Sequence, residues 1–273
     1  MKKLLRCSTI VLGAGIDLLF LTGLVLYAIG MNKLTRSYPD IPVETISIPT
    51  DSNAITRGEH IAVTWSCTYC HGDDLSGKLI EENSLMGTIP ATNLTSGSGG
   101  IGNSYADIDW IRAIRHGVKP DGRVEIMMNN YYTMSDQDLG DLIAYLKQIP
   151  PVDSNLPALH VGSILPLAPA IGYLVPAAEQ IDHDAPRPAD PTPGSTVEYG
   201  SYLSGTCMGC HSSNLGSKVE GWTQEDFFQM MRTGLLPDGG QLGSGMPLYD
   251  DMNETELTAL WLYFQSVPRE SKR

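Results

Sequence analysis

Four of the five cysteines in this 273-residue chain form two pairs of equal spacing, Cys67/Cys70 and Cys207/Cys210. Each pair is followed at once by a histidine, His71 or His211. A two-residue gap suits a metal site, a redox dithiol or haem attachment better than a disulfide framework. Zinc needs two more ligands nearby, and neither pair has a second Cys-x-x-Cys beside it. A thioredoxin-type dithiol follows a strand in an α/β pattern, which is absent here. Haem attachment fits: two thiols on one helical turn can add to the two vinyl groups of a flat porphyrin, and the adjacent imidazole then turns onto the iron. Two covalently bound haem c groups are therefore predicted, with Cys67, Cys70, Cys207 and Cys210 in the thioether bonds and His71 and His211 on the iron. Cys7 lies before an apolar run and reads as inert or as a lipidation site.

The elements around these motifs repeat. Arg57-Gly58-Glu59-His60-Ile61 runs into the first motif, and Glu198-Tyr199-Gly200-Ser201-Tyr202 into the second. Helix-like segments follow at Tyr105 to His116 and Thr223 to Thr233, each stopped by a glycine, Gly117 or Gly234. Both continue to a Pro-Asp-Gly turn, at Pro120 and Pro237. A capped helix closes each copy, from Ser135 and from Asn253, with an acid three residues after the cap and apolar stripes at Leu139, Leu142, Ile143, Leu146 and at Leu257, Leu260, Trp261, Phe264. The first copy is longer between its motif and Gly117, and its glycine-rich Ser96 to Gly102 reads as a surface loop.

Lys2, Lys3 and Arg6 precede a run from Ser8 to Met31 that holds one formal charge, Asp17. At ~1.5 Å per residue this run can cross a hydrocarbon core of ~30 Å. It reads as a retained single-pass anchor of the cytoplasmic membrane, with everything after it on the periplasmic or extracellular side. Ala28-Ile29-Gly30 offers a small-x-small cleavage site as the alternative. The predicted division is 1–34 anchor, 35–55 tether, 56–152 first haem domain, 153–194 proline-rich linker with an apolar stretch from Ile164 to Val175, and 195–273 second haem domain. The net charge of -13 argues against nucleic acid, whose phosphates need a basic surface, and suits docking by charge onto a basic partner.

With these motifs in place, the chain resembles tandem class I cytochrome c domains. It looks most like the multi-haem cytochrome c subunits of bacterial membrane-bound dehydrogenases. The resemblance is carried by the two haem motifs, Ala91-Thr92-Asn93-Leu94-Thr95, Arg115-His116-Gly117-Val118-Lys119-Pro120-Asp121-Gly122-Arg123 and Leu142-Ile143-Ala144-Tyr145-Leu146. Those subunits usually carry three haems, and this chain has two motifs. The resemblance implies an all-α fold of two class I domains after the transmembrane helix. It also implies a methionine sixth ligand from the loop before each last helix. Met246, followed by Pro247, takes that place in the second copy, with Met252 a less suitable rival. In the first copy Met128 has the better spacing and Met127 is the alternative, while Met134 reads as packing at the helix start. His60, His116, His160 and His183 read as structural or exposed, His116 as a partly positive imidazole at a helix C-terminus.

Iron held on both faces leaves no position for substrate, so the expected activity is outer-sphere electron transfer rather than catalysis. The expected partners are a dehydrogenase, an oxidase or a soluble carrier. The rival is a di-haem enzyme, peroxidase-like or thiosulfate-oxidising, that uses one open iron.

Overall fold

A computed structural model describes residues 2–129, 131–208, 211, 215–243 and 245–267. Cys210 lies outside the described residues. The apolar run winds into α1 (Lys2–Thr35), and its stretch Ile10–Thr35 is long and apolar enough to span a bilayer. Beyond it come α2 (Ser52–Thr64), α3 (Cys67–His71), α4 (Asp107–His116) and α5 (Asp136–Leu146), then the short helices α6 (Leu167–Ala170) and α7 (Ala177–Gln180). The last part of the chain carries α8 (Val197–Leu203), α9 (Leu215–Lys218), α10 (Gln224–Thr233) and α11 (Glu254–Ser266).

The all-α expectation is corrected, because the extra residues of the first copy form a sheet. Strands β1 (Lys78–Asn83) and β2 (Gly87–Ala91) make an antiparallel hairpin, and β3 (His160–Val161), from the linker, pairs with the free edge of β2. The Asn83 side chain sets the turn by accepting hydrogen bonds from the amides of Leu85 and Met86 at 2.9 and 2.7 Å. β3 is the smallest strand unit, and its pairing makes the linker part of the first half's packing.

Two apolar cores sit around the two cysteine motifs. One joins Trp65, Trp110, Ile111, Leu139, Leu142 and Ile143. The other joins Phe227, Met231, Leu257, Leu260 and Phe264. In each, the helix before the cysteine motif crosses the last helix at a glycine. A Cβ on Gly58 would collide with the Asp141 carbonyl and Tyr145, and one on Gly200 with the Ala259 carbonyl and Tyr263. α4 and α10 both end on a left-handed glycine, Gly117 at φ 63° and Gly234 at φ 74°. The turns after them make the same hydrogen bonds: Glu125 N to Gly117 O and Leu242 N to Gly234 O, each at 2.8 Å.

The two halves meet through matching residues. His60 and Tyr202 each stand two positions after a crossing glycine. The His60 ring Nε2–H donates to Glu256 Oε1 at 2.7 Å, and the Tyr202 hydroxyl donates to Asp138 Oδ2 at 2.5 Å. Glu256 and Asp138 are the acids three residues after the caps Asn253 and Ser135. In α11 the capping box closes as expected, with the Asn253 amide donating to Glu256. In α5 the Tyr202 hydroxyl stands between, accepting from the Ser135 amide at 3.2 Å.

A third cluster ties the end of α1 to the first half, with Leu34 packed among Ile89, Val118, Val124 and Leu165. The stretch after α1, expected to be an extended tether, packs as a strap, with Val43, Ile46 and Ile48 against the first core and the Tyr38 amide donating to Gly122 O at 2.7 Å. These apolar residues supply a surface the first core can bury. The glycine-rich loop docks on the start of the linker, where the Ser98 amide donates to Asp153 at 2.7 Å.

Candidate functional site

Ser66 adopts the left-handed conformation, φ 64°, and so turns the chain sharply from α2 into the single turn of α3. That turn sets Cys67 and Cys70 beside each other and His71 just beyond. The His71 Nδ1–H donates to the Thr92 carbonyl at 2.7 Å. Nδ1 carries the proton, so Nε2 keeps its lone pair, as an iron ligand requires. Burial lowers the His71 pKa, which keeps the ring neutral. The Thr92 carbonyl is itself held in place. Asn93 Nδ2 donates to Val152 O at 2.8 Å, the Thr95 amide donates to Asn93 Oδ1 at 2.8 Å, and the Val152 amide donates to Thr95 Oγ1 at 3.0 Å. The Ala91-Thr92-Asn93-Leu94-Thr95 motif is thus a clamp for the histidine's acceptor.

These residues open onto a cavity of about 350 Å³. Cys67, Cys70 and His71 share its lining with Met127 and Met128, and Ile80, Ile89, Leu94, Ile114 and Leu142 make it largely apolar. The volume falls within the roughly 300–1,000 Å³ of cofactor sites. Burial, reinforced by Cys70, pushes the Cys67 thiol up to about 12, unlike the acidic thiol of a redox dithiol. The Tyr131 hydroxyl donates to Trp65 O at 3.1 Å, and burial raises its pKa well above the usual value. Lys119 and Glu125 also line the cavity, with Nζ 3.5 Å from Oε2, and burial raises the Glu125 pKa.

The cavity fits haem on an independent observation. Trp110 lines it, is 2% exposed, and its buried indole N–H has no hydrogen-bond partner. An unsatisfied buried donor costs about 1–3 kcal/mol. A porphyrin carboxylate in the cavity would supply the missing acceptor. Motif and spacing do not single out Trp110. Its one signal in the sequence is a large aromatic with a polar handle on the apolar face of α4, four residues before Ile114.

Of the two candidate methionines in the first half, Met128 packs against the core, while Met127 is 40% exposed. The turns also align. The Met134 amide donates to Tyr131 O at 3.0 Å and the Met252 amide to Tyr249 O at 3.2 Å. Met128 stands three residues before Tyr131, as Met246 does before Tyr249. Met134 and Met252 are buried at 0% and 2%, as core packing.

In the second half Cys207 is buried and belongs to the core, and the His211 amide donates to Cys207 O at 2.9 Å, the bond of one helical turn. Burial, then Lys218, lowers the His211 pKa. Met246 packs against the same core. Cys210, the fourth predicted thioether position, lies outside the described residues.

His60, His116, His160 and His183 do not line the cavity. The expectation that His116 is partly positive is corrected. Burial, with His183, Arg115 and Arg112 beside it, lowers its pKa to about 4. His183 donates from Nε2 to Ala178 O at 3.1 Å, and its Nδ1 accepts from His116 Nδ1, 2.9 Å away. Desolvation outweighs the pull of the helix end.

The cytochrome c family model matches residues 55–150. The fructose dehydrogenase cytochrome subunit of Gluconobacter japonicus is 24% identical over 85% of this chain and 56% of its own length. The gluconate 2-dehydrogenase cytochrome c subunit of Pantoea cypripedii is 28% identical over 66% of this chain and 47% of its own. The cytochrome c subunit of alcohol dehydrogenase (quinone) from Gluconacetobacter polyoxogenes is 28% identical over 59% and 36%. The chain spans about half the length, or less, of these relatives. A cytochrome c domain implies a covalently bound haem c, and His71 and the cysteines of α3 lie within the matched residues. Residues 55–150 match the cytochrome c family, and the chain is similar to the cytochrome subunits of several bacterial dehydrogenases.

Proposed function

We propose that this chain is a membrane-anchored, di-haem electron-transfer subunit that accepts electrons from a dehydrogenase partner and delivers them to an acceptor outside the cytoplasmic membrane. The observation that carries the reading is the histidine clamp: Thr92 fixes the His71 tautomer in a cavity that also holds Met128. Haem supplies one-electron exchange at constant ligation when bound. The chain's residues do the rest. Cys67 and Cys70 would tether the ring, His71 and Met128 would hold the iron, and the apolar lining would exclude water. The Trp110 indole N–H would donate to a porphyrin carboxylate. In the second half, Cys207, Cys210, His211 and Met246 take the same roles, supported by the matching crossing glycines and turns. Two ligands per iron leave no site for substrate, so the chain carries electrons and does not catalyse. Of the relatives above, all are named as cytochrome subunits of dehydrogenases, which favours the carrier over the peroxidase-like alternative.

The test is the haem content of the purified, membrane-extracted chain. Pyridine haemochrome per polypeptide is expected to give two haems, falling to one in the Cys67→Ala/Cys70→Ala variant. A ratio of one in the unaltered chain overturns the di-haem assignment. Rapid carbon monoxide binding by the reduced protein overturns the carrier.

A further inference from the structure

Between the two halves, no residue from Val161 to Ala178 carries a formal charge, in a chain with net charge -13. This stretch packs on α1. Pro166 lies so close to Gly30 that a Cβ there would collide with its carbonyl, and Leu165 is buried with Leu34. Leu26 is half-covered while Val25, Tyr27 and Ile29 around it stay exposed. Leu26, Gly30 and Leu34 are four residues apart and share one face of the helix. The far end of the stretch is pinned as well: Glu179 pairs with Lys33 at 3.2 Å and with Arg36 at 3.9 Å.

These contacts set a height. Lys33 and Arg36 are the first charges after the apolar run of α1, so they mark the level of the lipid headgroups. Leu26 and Gly30 lie before them, on the hydrocarbon side. The segment packed across this face stands at the boundary itself. Its tip is an ordered turn: the Tyr173 amide donates to Ala168 O at 2.9 Å, and Gly172 takes φ 78°. On that turn Ile171 is 69% exposed and Tyr173 86% exposed. A turn that exposes most of an isoleucine and of a tyrosine matches the interfacial zone, where the tyrosine ring is sheltered and its hydroxyl meets water.

We propose that Ile164–Val175 is a second membrane contact, with the Ile171-Gly172-Tyr173 turn seated in the headgroup layer of the leaflet from which α1 emerges. The proposal rests on α1 being a retained anchor. Its consequence is orientation. A single helix leaves the haem domains free to tumble above the bilayer, whereas a helix and a turn together hold the first half, through Leu34 and Leu165, at a set height and tilt. The partner is lipid, because the contact is continuous with the spanning face of α1.

The test uses the full haem-loaded chain in lipid nanodiscs, with Cys7→Ser and one nitroxide label in turn at Ile171→Cys, Tyr173→Cys, Leu19→Cys or Asp238→Cys. The ratio of oxygen to water-soluble nickel-chelate accessibility is expected to be highest at Leu19, lowest at Asp238, and well above the Asp238 value at Ile171 and Tyr173. Labels at 171 and 173 as wet as Asp238, with Leu19 in lipid, overturn the proposal and leave the anchor standing. A wet Leu19 label, or an N-terminus missing by mass, sinks the anchor and the proposal together. Labels wet in the isolated chain but shielded in a copurified complex assign the turn to a protein partner and also overturn it.

Discussion

Ser66 and Thr206 each stand directly before a cysteine motif, and their hydroxyl oxygens lie 3.5 Å apart in the buried boundary between the two halves. Ser66 also donates to the Tyr249 hydroxyl at 3.0 Å. The segments that carry Cys67 and Cys207 therefore touch at their starts. Ser66 holds this place in the left-handed region, at φ 64°.

That conformation separates two substitutions. Ser66→Ala and Ser66→Gly both lose the bond to Tyr249, but only glycine relieves the backbone, where a side chain costs roughly 1–2 kcal/mol. The glycine variant is expected to be the more stable by about 1 kcal/mol on that principle. Denaturant midpoints of the two variants at an unchanged slope check this. Equal midpoints would refute the role given to φ.

The crossing glycines allow no side chain. Gly58→Ala and Gly200→Ala push a methyl into the Asp141 and Ala259 carbonyls, which belong to helix backbone and cannot rotate away. Each is expected to cost about 1–3 kcal/mol or more. Chemical unfolding of each variant is the measurement. Gly13→Ala, inside α1 with nothing within 4 Å of the added methyl, is the control and is expected to lose no stability.

The contact between His60 and Glu256 makes stability depend on pH. The hydrogen bond from His60 to Glu256 raises the His60 pKa above its unfolded value of about 6.5. The folded state then binds the proton more tightly than the unfolded chain does. The stabilisation is complete below about pH 6.5 and is lost as pH rises through the raised folded value. In thermal unfolding between pH 6 and 9, the advantage of the unaltered chain over His60→Gln is expected to shrink with rising pH. A constant difference would show that His60 is not charged in the fold.

The two neighbouring methionines should separate by spectroscopy. Met128→Ala is expected to abolish the methionine-to-iron charge-transfer band of one haem and to open that iron to carbon monoxide. Met127→Ala, at a half-exposed position, is expected to preserve the band and the ligand resistance. The reverse pattern assigns the ligand to Met127.

Much of the site is legible in the sequence. Cys67, Cys70, His71 and the methionine loop are local or motif-borne, and both halves show the same glycines and caps at corresponding places. The hairpin of β1 and β2 is not legible there, because its strands are short and pair with β3, which arrives from the linker some seventy residues later. The strap is hidden for a related reason. Val43, Ile46 and Ile48 are too few to signal an element, and become packing only where a core lies beside them.

By itself the sequence determined the spacing of the two cysteine motifs, most helix ends and the apolar run of α1, since each depends on neighbours within a few residues. Only the tertiary structure decided which carbonyl fixes the His71 proton, where the Trp110 indole N–H is left waiting, and that Ser66 meets Thr206. Those relations join residues far apart in the chain, and their geometry depends on how helices cross and how strands close. Crossing angles follow from the packing of whole faces, which no local pattern of residues states.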